Sequence, residues 1–227
     1  MMEESPEFER QRRQGSVPDT PLRSVLRDQR AGIGRGFAIS ALGSITYYVG
    51  ITYVPAFLTA AGVTQEREAL RLSTIAALAV VLITPVTGLL SDRFGRRPVL
   101  LGLVVLGAAL PTVLFGVMAS GGPAVALAGA VALALIGGAV SAVGAVASAE
   151  QFPGEGRLTG LALGVTMATA IFGGLAPLVA HLLVERTGWV DAPGAMIALV
   201  ALCVGPVLWR LPETRPALRA LPQRPST

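Results

Sequence analysis

Long apolar runs alternate with short polar ones along this chain. Six runs approach the roughly 20 residues that a helix needs to cross a bilayer. They cover residues 36–58, 72–90, 99–118, 124–149, 158–184 and 194–209. The last is short and borrows Pro193 at its start and Leu211 at its end. None of the six contains Asp, Glu or Arg, and His181 is the one imidazole among them. The pattern predicts an all-α integral membrane protein of six transmembrane helices. The expected division is a lead-in over residues 1–35, a bundle over 36–211 and a tail over 212–227.

Composition supports this picture. Mean hydropathy is +0.64 and 14% of residues are charged, against about 25% in an ordinary soluble domain. Aromatics make up 5%, so the apolar surplus is mostly Ala, Val, Leu and Gly, which suits close helix packing in lipid. A pI near 10.2 raises the question of nucleic acid. The basic residues sit in short loops and tails between apolar runs, which excludes that partner and leaves membrane lipid. All 18 basic residues are Arg, a usage that suggests a GC-rich bacterial genome. Cys203 stands alone in an apolar run, so no internal disulfide is expected. The first 30 residues are polar and lack the apolar core of a signal peptide. No metal, cofactor or nucleophile–base constellation is legible, so an enzyme is the least favoured class.

Arginine placement predicts orientation. Fifteen Arg lie before the first span, in the loops after the second and fourth, and in the tail; three (Arg67, Arg71, Arg186) lie on the alternate side. Both termini are therefore expected in the cytoplasm, as an even number of spans requires. In the lead-in, Thr20 and Pro21 can start a short helix with Leu22, Val25 and Leu26 on one face and Arg23, Arg27 and Arg30 beside it. Such a helix would lie on anionic headgroups; a linker with some helicity is the alternative.

The second span ends in Leu89-Leu90-Ser91-Asp92-Arg93-Phe94-Gly95 and the fifth in Leu182-Leu183-Val184-Glu185-Arg186-Thr187-Gly188. Both read L-L-x-acid-R-x-G, and Pro85 and Pro177 precede them at similar distances. An offset of three spans reverses orientation in the membrane, so the expected architecture is a 3+3 inverted repeat.

The loop from Gly88 to Pro98 carries more than positive charge. Gly88 would allow close helix approach. Asp92 can accept from backbone N–H groups at a helix start or pair with an Arg. Gly95 permits a tight turn, and Pro98 suits a first helical turn. The run closely resembles the G-x-L-[SA]-D-R-x-G-R-R loop of the major facilitator superfamily, which joins the second and third helices of each six-helix half. Glu150-Gln151-Phe152-Pro153 with Arg157, Thr159 and Gly160 looks like that superfamily's loop after the tenth helix. Leu211-Pro212-Glu213-Thr214 looks like the segment closing the twelfth, and Glu4-Ser5-Pro6-Glu7-Phe8 like the one after the sixth. Phe172-Gly173-Gly174 with Ala176-Pro177 is similar to the eleventh helix of the metabolite:proton symporter family. The resemblance implies that this chain is the C-terminal half of a twelve-helix fold. It implies a small organic solute (a carboxylate or betaine), protons and a separate N-terminal half as partners. It also implies a cytoplasmic latch of Gly88, Asp92, Arg93, Gly95, Arg96, Arg97, Glu150 and Arg157.

Candidate solute contacts follow from polar residues inside the spans. Ser40, Ser44, Tyr48 and Thr52 recur every four residues in the first span, with Tyr47 adjacent. They either line a solute path or bond between helices. Gly137, Ser141, Ala145 and Ser148 form a small-residue stripe on the fourth span that favours close packing, with Ser141 also a lining candidate. Thr166 and Thr169 either meet solute or bond to their own helix backbone. His181 is read first as a hydrated rim residue and second as a proton relay. The expected function is secondary transport by alternating access; the competing class is a non-transporting remnant or assembly subunit.

Overall fold

The computed structural model describes residues 26–27, 29–152 and 157–214, with the side chain of residue 157 excepted. The start of the lead-in helix expected from Thr20 and Pro21 falls outside the described residues, as does the segment Glu4 to Phe8, while Leu26 and Arg27 are helical. All regular structure among the described residues is helical. The elements are α1 (Arg30–Tyr47), a π-helical turn (Tyr48–Thr52), α2 (Val54–Ala60), α3 (Glu66–Phe94), α4 (Arg96–Ser120), α5 (Pro123–Glu150), α6 (Arg157–Leu161), a π-helical turn (Ala162–Thr166), α7 (Met167–Thr169), a third π-helical turn (Ala170–Leu175), α8 (Ala176–Thr187) and α9 (Ala192–Trp209).

Five helices are long and apolar enough to cross a membrane, and a bent pair supplies the sixth. That pair is the first span, Arg30–Thr52 and Val54–Ala60, which meet at 42°. Its bend has a local cause. The N–H of Tyr53 reaches back five residues to the carbonyl of Tyr48 (2.9 Å), and Pro55 follows at the start of α2. Helices α3, α4 and α5 are the second to fourth spans, Leu158–Thr187 is the fifth, and α9 is the sixth. Pro85, Pro111 and Pro206 lie inside α3, α4 and α9 without ending them, as neighbouring helices in a membrane bundle allow.

The packing has an exchange symmetry. The second span packs on the fourth and the fifth on the first. The third packs on the fourth and the sixth on the first, while the first and fourth pack on each other, as do the third and sixth. Swapping spans one to three with four to six leaves this pattern unchanged, as the 3+3 repeat requires. The repeated motif also ends the middle span of each unit on a glycine. Gly95 (φ +109°) and Gly188 (φ +68°) adopt positive φ, and their N–H groups bond to the carbonyls of Ser91 and Val184 at 3.0 Å each. Those two acceptors occupy matching places in the motif.

With lipid outside, close contact rather than water exclusion holds the spans together. Small residues provide it. A Cβ on Gly137 would stand 3.1 Å from the carbonyl oxygen of Thr46, and one on Gly194 only 2.4 Å from that of Pro111. Two apolar clusters fill the bundle. One centres on Leu42, Leu100, Val140 and Leu208; the other, toward the opposite face, on Phe57, Phe115, Met118 and Ile197. Gly88 departs from expectation. Among the described residues nothing lies within 4 Å of where its Cβ would be, so no described helix packs against it.

Candidate functional site

Polar groups concentrate in two places. The first is the face carrying the loop between α3 and α4. Arg96 begins α4, and its side chain is turned inward and almost buried. Its Nη1 donates to Asp92 Oδ1 at 2.5 Å and also to Ser91 Oγ. Its Nε stands 3.5 Å from Glu150 Oε2, an ion-pair rather than a hydrogen-bond distance. Glu150 ends α5 and is 12% exposed, whereas Asp92 is 55% exposed. Thr214 donates its hydroxyl to the same Glu150 oxygen.

Glu213 completes this cluster, and sequence reasoning gave it no role. Its carboxylate accepts the backbone N–H of Arg96 (2.8 Å) and of Arg97 (3.1 Å). It thus caps the start of α4, where helix N–H groups lack partners and negative charge is favoured. Asp92 had been expected either to cap a helix start or to pair with an Arg; it does the second and Glu213 does the first. The available signal was an acid four residues beyond the last span, on the Arg-rich side. Arg97 and Arg93 join no carboxylate among the described residues. The Arg97 guanidinium lies 5.4 Å from the Trp209 ring centre, and that of Arg93 lies 5.7 Å from that of Phe94. The expected latch is therefore brought together at Asp92, Gly95, Arg96, Arg97 and Glu150. Gly88 and Arg93 stand apart, and the Arg157 side chain is outside the described residues.

The second place is a groove of about 380 Å³ between the first, fourth and fifth spans. Ser40, Ser44, Tyr47, Tyr48, Ser141, Ser148 and Thr169 supply its polar lining. The first-span stripe bonds between helices and also borders the groove. Ser44 Oγ donates to Thr169 Oγ1 at 3.1 Å, Ser40 Oγ lies 3.4 Å from the same oxygen, and Ser40 Oγ donates to the Val165 carbonyl at 3.2 Å. These hydroxyls bridge two helices and also face the groove. The rings of Tyr47 and Tyr48 meet edge to face at 5.6 Å. The Tyr48 ring lies over Gly173, where a Cβ would stand 2.8 Å from it. Among the described residues, no carboxylate, imidazole or guanidinium lines this groove.

Thr52 and Thr166 depart from expectation. Both are exposed and neither lines the groove. Each ends a π-helical turn, and in the first span that wider winding carries Thr52 out of the four-residue stripe. The small-residue stripe divides its tasks: Gly137 meets the first span closely, while Ser141, Ala145 and Ser148 line the groove. His181 is half exposed, with Nε2 3.9 Å from Glu185 Oε2 and its ring 6.3 Å from that of Tyr53. That position matches a rim residue.

The sequence profile of the Major Facilitator Superfamily matches residues 68–226. Among characterised proteins, the citrate-proton symporter of Klebsiella pneumoniae is 29% identical over 169 residues, covering 74% of this chain and 38% of that protein. The ectoine/proline transporter of Corynebacterium glutamicum is 27% identical over 209 residues, covering 88% of this chain and 40% of its own length. The proline/betaine transporter of Escherichia coli K12 is 33% identical over 184 residues, covering 79% and 36%. The chain thus spans roughly two fifths of the length of these relatives.

Proposed function

The chain belongs to the Major Facilitator Superfamily, and from that premise we propose that it forms one wall of the solute path of a proton-coupled secondary transporter. The groove between the first, fourth and fifth spans carries this reading. It combines hydroxyls from two helices with a tyrosine pair, and both are suited to a small organic solute such as a carboxylate or betaine. Two of the relatives, a citrate-proton symporter and a proline/betaine transporter, support that solute class.

In this reading the chain is the C-terminal half of a twelve-helix transporter in a bacterial plasma membrane. Residues 1–35 and 212–227 flank the bundle on the cytoplasmic side, which the Arg asymmetry supports. The Arg96 cluster is the cytoplasmic latch: Asp92 and Glu150 hold Arg96 in one state and release it in another. Among the described residues, the groove has no group that titrates near neutral pH and no fixed charge for a carboxylate. Proton coupling and recognition of solute charge then fall to residues of the other half.

The test is reconstitution. Proteoliposomes holding the purified chain should bind solute saturably yet show no accumulation driven by an imposed pH gradient. Gradient-driven accumulation of a carboxylate, betaine or amino acid by this chain alone would overturn the half-site reading. Reporter fusions active in the periplasm at residue 227 would overturn the orientation.

A further inference from the structure

A second, larger groove lies away from the hydroxyl site. It encloses about 680 Å³ between the second, third and fourth spans, and Ile83, Leu90, Pro98, Gly102 and Leu106 are among its walls. Thr87 is its one polar side chain, and the Thr87 hydroxyl already donates to the carbonyl of Ile83 at 2.8 Å. Nothing lies within 4 Å of where a Cβ on Gly102 would be, so that glycine opens the groove rather than tightening a helix contact. A wall of this kind offers no hydrogen bond to a polar ligand; it suits a hydrocarbon chain.

Its length and ends say which hydrocarbon. From Ile83 to Leu90 is seven residues, about 10 Å at 1.5 Å per residue. The hydrocarbon of one leaflet is about 15 Å deep, half of a core of about 30 Å. The groove therefore runs from the Arg-rich loop toward the midplane, within a single leaflet. At its loop end, Arg93 follows Leu90 by one helical turn. Arg93 is exposed, and among the described residues its guanidinium meets the Phe94 ring and no carboxylate. The neighbouring Asp92 is engaged by Arg96. An apolar channel one leaflet deep, ending at an unneutralised guanidinium, is complementary to a single phospholipid carrying net negative charge.

We propose that this groove seats one acyl chain of an anionic phospholipid whose phosphate is held by Arg93. The lipid fills the space between the second and third spans, which pack on each other far less than either packs on the fourth. Its charge sits beside the Arg96 cluster without joining it.

Native mass spectrometry of the full chain, released from nanodiscs of equal phosphatidylglycerol and phosphatidylethanolamine, tests this. The chain should retain one phosphatidylglycerol in preference to phosphatidylethanolamine. Arg93→Gln should lower that preference about fivefold, the worth of one basic residue at a membrane surface, and Arg93→Lys should restore most of it. Gly102→Leu, which fills the groove, should abolish retention of either lipid while the chain stays monodisperse. Equal retention of the two lipids by the unaltered chain would overturn the proposal. So would retention that Arg93→Gln and Gly102→Leu both leave unchanged, or a second copy of the chain in place of lipid. The measurement reads lipid alone, so it stands or falls separately from the transport reading.

Discussion

The carboxylate of Glu213 rests on Gly95: a Cβ at Gly95 would stand 2.6 Å from Glu213 Oε2. Residues of the polar face are thus fitted against the backbone of the loop, in contact as well as in charge. Gly95 holds φ +109° and ψ 158°, a region that side-chain-bearing residues essentially do not enter.

Gly95→Ala should therefore act twice. It strains the backbone and displaces Glu213 from the N–H groups of Arg96 and Arg97. A loss of about 1–3 kcal/mol is expected from the strain alone. Unfolding in detergent with graded denaturant checks it, with Gly102→Ala as the comparison. Nothing lies within 4 Å of a Cβ on Gly102, so that variant should stay within about 0.5 kcal/mol.

Arg96→Met should cost about 3–5 kcal/mol, because it leaves the largely buried Glu150 carboxylate without its guanidinium. Adding Glu150→Gln should recover part of that loss. Adding Asp92→Asn should recover less, since Asp92 is 55% exposed against 12% for Glu150 and water already solvates it. A double-mutant cycle gives both terms. Equal recovery by the two acids would contradict the burial argument.

In a context where the protein transports, Asp92→Asn should change the transport rate and the balance of states more than the amount of protein. The substitution removes one acid from a face with three Arg between positions 93 and 97. Uptake per molecule, normalised by immunoblot, decides it; an unchanged rate per molecule counts against the latch.

Thr169→Val should separate stability from solute handling. It removes the acceptor of the Ser44 hydroxyl while keeping shape, and one such bond in a membrane bundle is worth about 0.6 kcal/mol. Thermal unfolding should therefore shift little. Solute binding should change several-fold, because the freed hydroxyl of Ser44 faces the groove while Ser40 keeps its bond to the Val165 carbonyl. Unaltered binding would place the cluster in the scaffold only.

Gly194→Ala should destabilise by about 1–3 kcal/mol, the usual cost of overpacking. The atom it approaches is the backbone carbonyl of Pro111 at 2.4 Å, which cannot turn aside as a side chain can. The same denaturation assay measures this.

Much of the fold was legible because lipid imposes a simple rule. Twenty apolar residues without charge read as a span whatever their neighbours, and the six runs reappear with ends shifted by a few residues. The repeat was legible because Gly95 and Gly188 both need positive φ at the end of a helix. The pairings were less so. Ser44 finds Thr169 across 125 residues and Arg96 finds Glu213 across 117, and no local pattern encodes either meeting. Thr52 misled because the four-residue stripe assumes uniform winding, which the first of the π-helical turns interrupts. Gly88 misled because a small residue permits approach without requiring it.

Those turns have a mechanical consequence. Among the described residues they occur in the first and fifth spans and in no other. Their hydrogen bonds reach across five residues rather than four, so the rods that contain them are torsionally softer. The remaining four spans are unbroken α-helix. A frame with two compliant members and four stiff ones does not share an imposed load evenly. Deformation collects in the compliant pair, and these are the two walls joined by Ser40, Ser44 and Thr169. A change of winding in either wall alters the width of the groove between them.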